Sequence, residues 1–410
     1  MAELRPLPER IKRLTVDING DPSGTLLHES IYQFSYTRDD DSQPAVSLLL
    51  PPTQLNHQDG DLFPSMDMNL PEGFLFQQII ELFRKQRITK MHLLALMGRS
   101  AIGRVGFRLP DQPTRAAAVA VDRTRLLAAD PAKRLFGELV QAYLADGAGI
   151  SGVQPKIMLP TRATLPIPDL IVKTAGSAYP GLAANEYLCL TAARRAGIEV
   201  PAVELSEDAG LLLVDRFDIS ADGSRLGFED IAALMGLRVS DKLSNRKYHG
   251  SYEQAAEVIG LMSSQRASDL DRFFGQLTLS VMVRNGDAHL KNYAMVYTSD
   301  DDVRLAPMYD VVTTSIYAHE RPGGLEAFDR TLALKWRAGK RGSRGYPDTR
   351  ELLEFGREVC GVARPAAVVE RIADALADTL AQARSDPRIE APLLGRIGEQ
   401  WALGMAHARR

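Results

Sequence analysis

The sequence predicts an α+β protein built from two or three packed units, with a β-rich front, a mixed middle and a helical back. Its 410 residues are more than one hydrophobic core usually serves. Apolar and polar residues alternate over residues 14–18, as in a half-buried strand, whereas apolar residues recur every three or four positions over Pro365–Ala383, as in a helix. The chain length and these two periodicities together predict the fold class.

The composition excludes several classes of protein. Apolar residues make up 45% and charged residues 25% of the chain, which excludes a mainly disordered or fibrous protein. The net charge of −3 provides no overall field for nucleic acid or an anionic membrane, and two cysteines cannot supply a disulfide framework or a four-thiolate zinc site. The start of the chain lacks the apolar stretch of a signal peptide, and no uncharged run approaches the ~20 residues of a membrane span. We therefore predict a soluble, cytoplasmic protein without a membrane partner.

The front of the chain, residues 1–110, is predicted to be a β-rich subdomain. Asn19-Gly20 follows the alternating residues 14–18 and favours a tight hairpin turn. Further elements are predicted as strands at residues 31–36, 45–50 and 99–108, and as a helix at residues 74–86. The polar segment 111–117 predicts a domain boundary.

Residues 111–218 are predicted to mix helices and strands, and residues 219–410 to be mainly helical. Asp130 can cap a helix over residues 130–144, and Pro131 suits its first position. The other predicted elements of the middle are strands at 156–159, 170–173, 203–205 and 210–217, and a helix at 182–196. In the helical back, a hairpin-like pair is predicted within residues 293–307, followed by helices at Pro365–Ala383 and 388–408.

Residues 283–292, Val-Arg-Asn-Gly-Asp-Ala-His-Leu-Lys-Asn, carry the strongest functional signal. An apolar helix runs into a turn signal, and Asp287 and Asn292 follow it five residues apart. The same separation joins the Asp that accepts the hydroxyl proton and the Asn that holds a metal ion in the protein-kinase catalytic loop. Asp310 supplies a second carboxylate 23 residues after Asp287. This set suits phosphoryl transfer, and a capped surface turn is the structural alternative.

Two other side chains of this segment are candidates for the site. No pair of histidines has zinc-ligand spacing, so His289 is predicted to form hydrogen bonds that fix the shape of the loop rather than to bind a metal. Lys291 can reach a γ-phosphate or can point into solvent, and both interpretations stay open.

A glycine-rich loop at residues 147–156 runs straight into a predicted strand. Glycines let backbone N–H groups approach phosphate oxygens closely. The spacing departs from the P-loop consensus and no helix follows, so a flexible turn is the structural alternative. The candidate nucleotide-binding residues here are Ser151, Gly152, Val153, Gln154 and Lys156.

Two strand ends are further candidates for a nucleotide site. Lys173 ends an apolar run, which is where kinases place the lysine that contacts the ATP phosphates and pairs with a helix Glu. Glu186 follows near the start of the next predicted helix, where an interaction with the helix dipole is the alternative role. The end of a later apolar strand can form the adenine-binding linker of a bilobal enzyme, or an ordinary salt-bridged strand end. Its residues are Asp215, Arg216 and Phe217.

Six segments, taken in order, resemble the HipA family of bacterial serine/threonine kinases, the toxin half of HipA–HipB toxin–antitoxin pairs. They are ISGVQPK, IVKT, NEYLCL, VDRFD, NGDAHLKN and APMYD, and residues 14–20, 34–36 and 98–104 are similar to the family's N-terminal subdomain. The resemblance covers nearly the full length. It implies a bilobal, distantly protein-kinase-like α+β fold, with a β-containing N-lobe, an extra N-terminal subdomain and a mainly helical C-lobe.

The resemblance also implies roles for individual residues. Asp287 would accept the proton of the substrate hydroxyl, and Asn292 and Asp310 would bind Mg²⁺. Lys173 would contact the ATP phosphates, and residues 215–217 would form the adenine hinge. The cofactors implied are therefore ATP and Mg²⁺.

The family's biology is implied as well. Members phosphorylate a serine of an aminoacyl-tRNA synthetase, which stalls translation and favours dormancy, known as persistence. A HipB-like antitoxin is the implied partner, with DNA contacted only through that complex. Members also autophosphorylate in the glycine loop, but Gly149 stands here where some members carry the modified serine. Ser151 is the local candidate for autophosphorylation.

Two other functions stay open. Small-molecule kinases of the aminoglycoside type share Gly-Asp-x-His-x-x-Asn with residues 286–292, although the β-rich front has no place in that family. A non-catalytic regulator that binds an antitoxin on DNA would use residues 335–344, where five cations and Trp336 can contact nucleic acid or can simply be solvated. The complete set of candidate acid and metal-binding side chains favours an enzyme.

Overall fold

The computed structural model describes residues 7–38, 43–84, 86–98, 101–110, 121–128, 156–161, 168–175, 179–238, 246–321, 325–328, 330–339 and 342–409. The chain divides into two compact units. The first unit comprises Met1–Thr174, Leu213–Ser244 and Val296–Asp302; the second comprises Ala175–Leu212, Asn245–Met295 and Val303–Arg410. Antiparallel sheets and helices occur together, which confirms the predicted α+β class. The predicted domain boundaries near 110 and 218 stay predictions.

The strands are β1 (Arg13–Ile18), β2 (Asp21–His28), β3 (Tyr32–Tyr36), β4 (Asn56–Asp59), β5 (Val105–Arg108), β6 (Lys156–Leu159), β7 (Leu170–Thr174), β8 (Val203–Leu205), β9 (Leu211–Asp215), β10 (Gly227–Asp230), β11 (Ala294–Tyr297), β12 (Val303–Leu305), β13 (Ala318–Arg321) and β14 (Leu325–Phe328). The helices are α1 (Pro64–Asp67), α2 (Gly73–Leu82), α3 (Lys90–Met97), α4 (Arg123–Leu127), α5 (Leu182–Arg195), α6 (Ile231–Leu234), α7 (Tyr252–Met262), α8 (Arg266–Met282), α9 (Thr349–Glu358), α10 (Pro365–Ala383) and α11 (Ala391–Ala408).

The N-terminal sheet of the first unit is antiparallel, with the strand order β4-β3-β2-β1-β5. The predicted hairpin turn joins β1 to β2. Asn19 (φ +49°) and Gly20 (φ +97°) both take the left-handed conformation that a tight hairpin turn needs. Leu14, Phe34 and Phe107, from three different strands, are buried and form part of the core of this unit.

The predicted strand at residues 45–50 is wrong. Backbone N–H groups of this segment bond to side chains instead of to a neighbouring strand. Val46 N–H donates to the Tyr36 hydroxyl (2.9 Å), and Leu48 N–H donates to the Glu229 carboxylate (2.7 Å). The apolar pattern predicted that the segment is buried, but these side-chain acceptors satisfy backbone groups that a strand would have paired.

A second sheet of the first unit carries two of the candidate residues. Strand β7 lies between β6 and the part of β9 that belongs to this unit. Strands β6 and β7 are antiparallel, and Leu159 opposite Leu170 sets the register. This register places Lys156 directly opposite Lys173.

Helix α8 forms the centre of the second unit. It contacts α7, α10 and α11, and α10 also contacts α5. Phe273, Phe274 and Leu277 of α8 are fully buried. Gly404 of α11 lies against the end of α8, where an added Cβ would stand 2.7 Å from the carbonyl carbon of Met282. Helix α11 can approach α8 this closely only because residue 404 has no side chain.

Both tryptophans of the chain lie in the second unit and are buried. Trp336 packs against Tyr252 and Phe355, with ring centroids 5.9 and 4.6 Å apart. Trp401 of α11 donates its indole N–H to Thr313 Oγ1 (2.7 Å). The C-terminal helix is therefore bonded to the segment that follows Asp310.

A buried asparagine holds the same threonine from another side. Thr313 N–H donates to Asn185 Oδ1 (2.9 Å), and Asn185 Nδ2 donates to the Thr313 carbonyl (3.1 Å). Because Asn185 belongs to α5 and Trp401 to α11, two helices of this unit fix the position of Thr313.

The structure confirms most of the other predicted elements to within a few residues, including β7, α5, α10, α11 and the β11–β12 pair. Helices α1, α3 and α4 and strands β4, β10, β13 and β14 were not predicted. The helix predicted at 130–144 and the boundary at 111–117 lie outside the described residues. Within the described chain, no helix combines the length and apolar character needed to cross a membrane.

Candidate active site

The segment after α8 begins with a defined turn. Helix α8 ends in a Schellman motif, in which Asn285 N–H donates to the Ser280 carbonyl (2.9 Å) and Arg284 N–H donates to the Val281 carbonyl (3.2 Å). Arg284 takes the left-handed conformation (φ +57°) that this motif requires and that glycine usually supplies. The chain therefore leaves a buried helix in a fixed direction.

Further hydrogen bonds hold the backbone at Asp287. Asp287 N–H donates to Asn285 Oδ1 (3.0 Å), and Gly286 N–H donates to Thr314 Oγ1 (2.7 Å). The next residue, Ala288, is buried, whereas Asp287 is exposed. The loop thus presents a carboxylate to solvent from a backbone that is tied to the rest of the unit.

A tyrosine from another segment contacts this carboxylate. The Tyr248 hydroxyl donates to Asp287 Oδ1 over 2.6 Å. Tyr248 ends a 3-10 turn, Arg246–Tyr248, and its ring stands edge-on to His289, with centroids 5.2 Å apart. The sequence analysis missed Tyr248, because it lies 39 residues before Asp287 and no motif spacing links the two.

The predicted metal-binding residues Asn292 and Asp310 lie together. Asn292 Nδ2 donates to the Asp310 carbonyl (3.2 Å), and the Tyr309 hydroxyl donates to the Lys291 carbonyl (2.8 Å). Asn292 Oδ1 accepts the N–H of His289 (3.2 Å). Two hydrogen bonds therefore join the Asp310 segment to the loop that carries Asp287, and the third lies within that loop.

The backbone at Asp310 is unusual. Asp310 is half-buried and takes a left-handed conformation (φ +50°), which costs most non-glycine residues about 1 kcal/mol. Asp tolerates this conformation better than β-branched residues do. An observed outlier of this kind, in a segment that is bonded to the loop carrying Asp287, supports a functional role for the segment.

The side-chain oxygen atoms of Asn292 and Asp310 suit a hard divalent cation. Carboxylate and amide oxygens are typical ligands of Mg²⁺, which binds few protein groups and keeps water or substrate phosphates as its other ligands. Asn292 and Asp310 supply one side chain each from neighbouring segments. Among the residues that the structure describes, no three His, Cys, Asp or Glu side chains form a metal-holding group. The carboxylate and amide oxygens of Asn292 and Asp310 are donors of the kind that Mg²⁺ binds.

The other two candidates of the loop take different positions. His289 is buried, and its N–H also donates to the Asp287 carbonyl (2.8 Å). Its backbone thus helps to fix the loop, and its ring supports Tyr248. Lys291 is half-buried, and its carbonyl accepts the Tyr309 hydroxyl. Asp287, His289, Lys291, Asn292 and Asp310 are thus all brought together in the second unit.

In the first unit, two candidate lysines share one face of a strand pair. Lys156 and Lys173 are direct partners in the register of β6 and β7. Directly opposite side chains of an antiparallel pair have Cβ atoms about 4.5–5.5 Å apart. Lys173 is buried and Lys156 is half-buried. The register thus places two lysine side chains together near the end of an apolar strand.

The predicted hinge residues have different surroundings. The Asp215 carboxylate pairs with Arg123 (2.6 Å). Arg216 is buried and pairs with Asp218 (2.6 Å), and this neighbouring guanidinium is the main factor that lowers the pKa of the Asp218 carboxyl against the effect of burial. Phe217 is half-buried. A nucleotide at this strand end would therefore contact the backbone or Phe217 rather than the guanidinium of Arg216.

The remaining candidates are the glycine loop and the basic segment 335–344. Ser151, Gly152, Val153 and Gln154 lie outside the described residues. Within the basic segment 335–344, Trp336 is a core residue, and Arg337 pairs with Glu253 (3.1 Å) and Glu358 (3.0 Å). Lys340 and Arg341 are not among the described residues.

Comparisons with known proteins agree with the observed fold. A family model for the HipA N-terminal domain matches residues 14–108, and a family model for the HipA-like C-terminal domain matches residues 148–384. The HipA chain in the complex of HipA, HipB and operator DNA from Shewanella oneidensis has a similar fold, with a TM-score of 0.70 at 18% identity over 97% of each chain.

Relatives with curated descriptions match over shorter segments. "Putative kinase Y4dM" of Sinorhizobium fredii is 30% identical over 178 residues, which are 40% of this chain and 42% of the relative. A "Putative kinase" of Haemophilus influenzae is 28% identical over 209 residues, 47% of this chain and 58% of the relative. The chain thus spans about half the length of the curated relatives it matches. Because the C-terminal family model alone covers more than half of the chain, the protein belongs to the HipA family.

Proposed function

We propose that this protein is an ATP- and Mg²⁺-dependent serine/threonine protein kinase. The observation that carries the proposal is the hydrogen-bonded arrangement of the Asp287 loop with the Asp310 segment. It combines an exposed carboxylate on a fixed backbone with two oxygen-bearing side chains, Asn292 and Asp310, on joined segments. Phosphoryl transfer requires this combination of a hydroxyl-orienting acid and metal ligands. The kinase names of the two relatives support the same activity.

Each residue of the second unit has a proposed role. Asp287 would accept the proton of the acceptor hydroxyl as that oxygen attacks the γ-phosphorus of ATP, while the bond from this phosphorus to the bridging oxygen breaks and ADP leaves. Asn292 and Asp310 would hold Mg²⁺, which neutralises charge on the phosphates when it is bound. His289 would keep the loop in shape, and Lys291 would contact phosphate or remain in solvent.

The first unit would bind the nucleotide. Lys156 and Lys173 are direct partners in the register of β6 and β7, and the ammonium groups of lysines are common partners of phosphate. We assign these lysines to the ATP phosphates, together with the glycine loop at residues 151–154. Residues 215–217 would contact the adenine, through backbone groups and the Phe217 ring.

Replacing Lys173 with methionine is expected to weaken ATP binding by about 10- to 100-fold, which is the size of one lost charge-assisted hydrogen bond. Methionine keeps most of the volume of this buried side chain, so the fold should persist. The affinity can be measured by titration calorimetry with ATP and Mg²⁺. Lys12→Met, which removes an exposed lysine that pairs with Glu29 in the same unit, is the matched control. Equal affinities for the two variants would contradict the assignment.

The proposed substrate, location and partner are based on the resemblance to the HipA family. We propose that the protein phosphorylates a serine of an aminoacyl-tRNA synthetase and thereby inhibits translation, that it acts in the cytoplasm, and that Ser151 is its autophosphorylation site. The relative of similar fold was solved with HipB and operator DNA. A HipB-like antitoxin is therefore the proposed partner here, with DNA contacted only through that complex.

The experiment that tests the proposal uses the purified full chain with Mg²⁺ and γ-labelled ATP. We expect label on the protein itself or on a purified aminoacyl-tRNA synthetase, and phosphosite mass spectrometry on a treated lysate would identify the acceptor. Label found only on aminoglycosides or other small molecules would favour the small-molecule phosphotransferase instead. No transfer to any acceptor, with no ATP binding, would favour the non-catalytic regulator.

A further inference from the structure

The proposed mechanism does not explain the contact between Tyr248 and Asp287. The Tyr248 hydroxyl donates to Asp287 Oδ1 over 2.6 Å, which is within the range of a charge-assisted O–H···O⁻ bond. The two residues belong to separate segments of the second unit. A bond of this kind to the proposed base calls for a functional explanation.

The tyrosine is itself held from several sides. Its ring stands edge-on to His289 at an interplanar angle of 77°. Its carbonyl accepts a hydrogen bond from the Arg344 guanidinium (2.9 Å), and the Arg344 carbonyl accepts the N–H of Leu332 (2.7 Å). The backbone of Tyr248 is therefore held by the Arg344 segment, while its phenol contacts Asp287.

A second tyrosine secures the backbone next to the base. Tyr252, the first residue of α7, is fully buried, and its hydroxyl donates to the Ala288 carbonyl (3.0 Å). One tyrosine thus bonds the carboxylate of Asp287, and the other bonds the carbonyl of the next residue, Ala288. Together they restrict both the backbone and the side chain at this position.

We propose that Tyr248 is the positioning residue for Asp287 in phosphoryl transfer, an inference that rests on the proposed kinase activity. The last side-chain torsion of a carboxylate is broad, so a hydrogen bond to one of its oxygens narrows the orientations that it takes. The Tyr248 bond to Oδ1 restricts that rotation and so orients the carboxylate that would accept the hydroxyl proton of the substrate. A general base acts only within hydrogen-bond reach of the proton, so a fixed orientation raises the rate of the chemical step.

The test compares steady-state kinetics of the wild type and Tyr248→Phe. We expect kcat to fall about tenfold, because one hydrogen bond to a charged group is lost at an exposed site, while the KM for ATP stays unchanged. Tyr179→Phe removes the same atom from a half-exposed tyrosine of the second unit and is the matched control. Its kcat should equal that of the wild type.

A double-mutant cycle shows whether Tyr248 acts through Asp287. In the Asp287→Asn background, Tyr248→Phe should cause no further loss, because the carboxylate it orients is already gone. An additive tenfold loss would overturn the positioning role. A higher kcat for Tyr248→Phe than for the wild type would also overturn it, because the phenol would then be blocking the position of the acceptor hydroxyl. A wild type without any phosphoryl transfer would remove the proposed function, and the positioning role with it. An active wild type with an unchanged Tyr248→Phe would remove the positioning role alone.

Discussion

Replacing Asp287 with asparagine is expected to lower the rate of phosphoryl transfer by about 10²- to 10⁴-fold, the usual contribution of general acid–base catalysis. Asparagine has nearly the same shape as aspartate, and the backbone bonds of Asp287 N–H to Asn285 and of Gly286 N–H to Thr314 do not involve the lost charge. The fold should therefore survive. Initial rates with labelled ATP and Mg²⁺ give the effect, and circular dichroism checks the fold.

Asp301→Asn provides the control for this substitution. Asp301 is an exposed acid in the turn between β11 and β12, outside the candidate site. The Asp301→Asn variant should transfer phosphate at the wild-type rate, since the substitution removes charge only at an exposed turn. Equal rates for Asp287→Asn and the wild type would show that the exposed acid of the loop does not take part in the chemical step.

Replacing Gly404 with alanine is expected to lower the free energy of unfolding of the second unit by about 3 kcal/mol, near the upper end for overpacking. The new Cβ would lie 2.7 and 2.9 Å from backbone carbon atoms of Met282. Backbone atoms cannot rotate away as a side chain can, so α11 would have to shift. Denaturant unfolding followed by tryptophan fluorescence measures the change.

A second substitution in α11 is expected to raise the free energy of unfolding. Gly395 of α11 is exposed, and an added Cβ there would meet no heavy atom within 4 Å. Gly395→Ala should therefore stabilise the helix by up to about 1 kcal/mol, because alanine loses less backbone freedom on folding than glycine. If both variants gained stability equally, the close approach of α11 to the end of α8 would not be a feature of the native state.

Local patterns predicted the regular elements well. Asn19-Gly20 identified the first hairpin, and the apolar spacing of Pro365–Ala383 gave the bounds of α10. The failure at residues 45–50 has a physical reason, since the partners of its backbone groups are a tyrosine hydroxyl and a carboxylate from distant positions. Such side-chain acceptors leave no periodic signal in the sequence.

Part of the candidate site could likewise be predicted from the sequence, and part could not. The spacing of Asp287 and Asn292 is a local pattern, so the sequence analysis identified this pair. That Asn292 bonds the Asp310 carbonyl depends on how the chain returns after β11 and β12, and only the folded structure shows it. Tyr248 belongs to a segment with no recognisable pattern, and its contact with Asp287 follows from tertiary packing alone.

The two tryptophans give this protein a built-in optical probe. Both indoles are in the second unit, and the first unit has none, so intrinsic emission reports on one half of the molecule. The indole at 401 is bonded to Thr313, three positions beyond the acid at 310. A Trp336→Phe protein would keep a single emitter, Trp401, bonded to the segment that carries the proposed Mg²⁺ ligand Asp310, so that ion titrations could be followed by fluorescence without any attached dye.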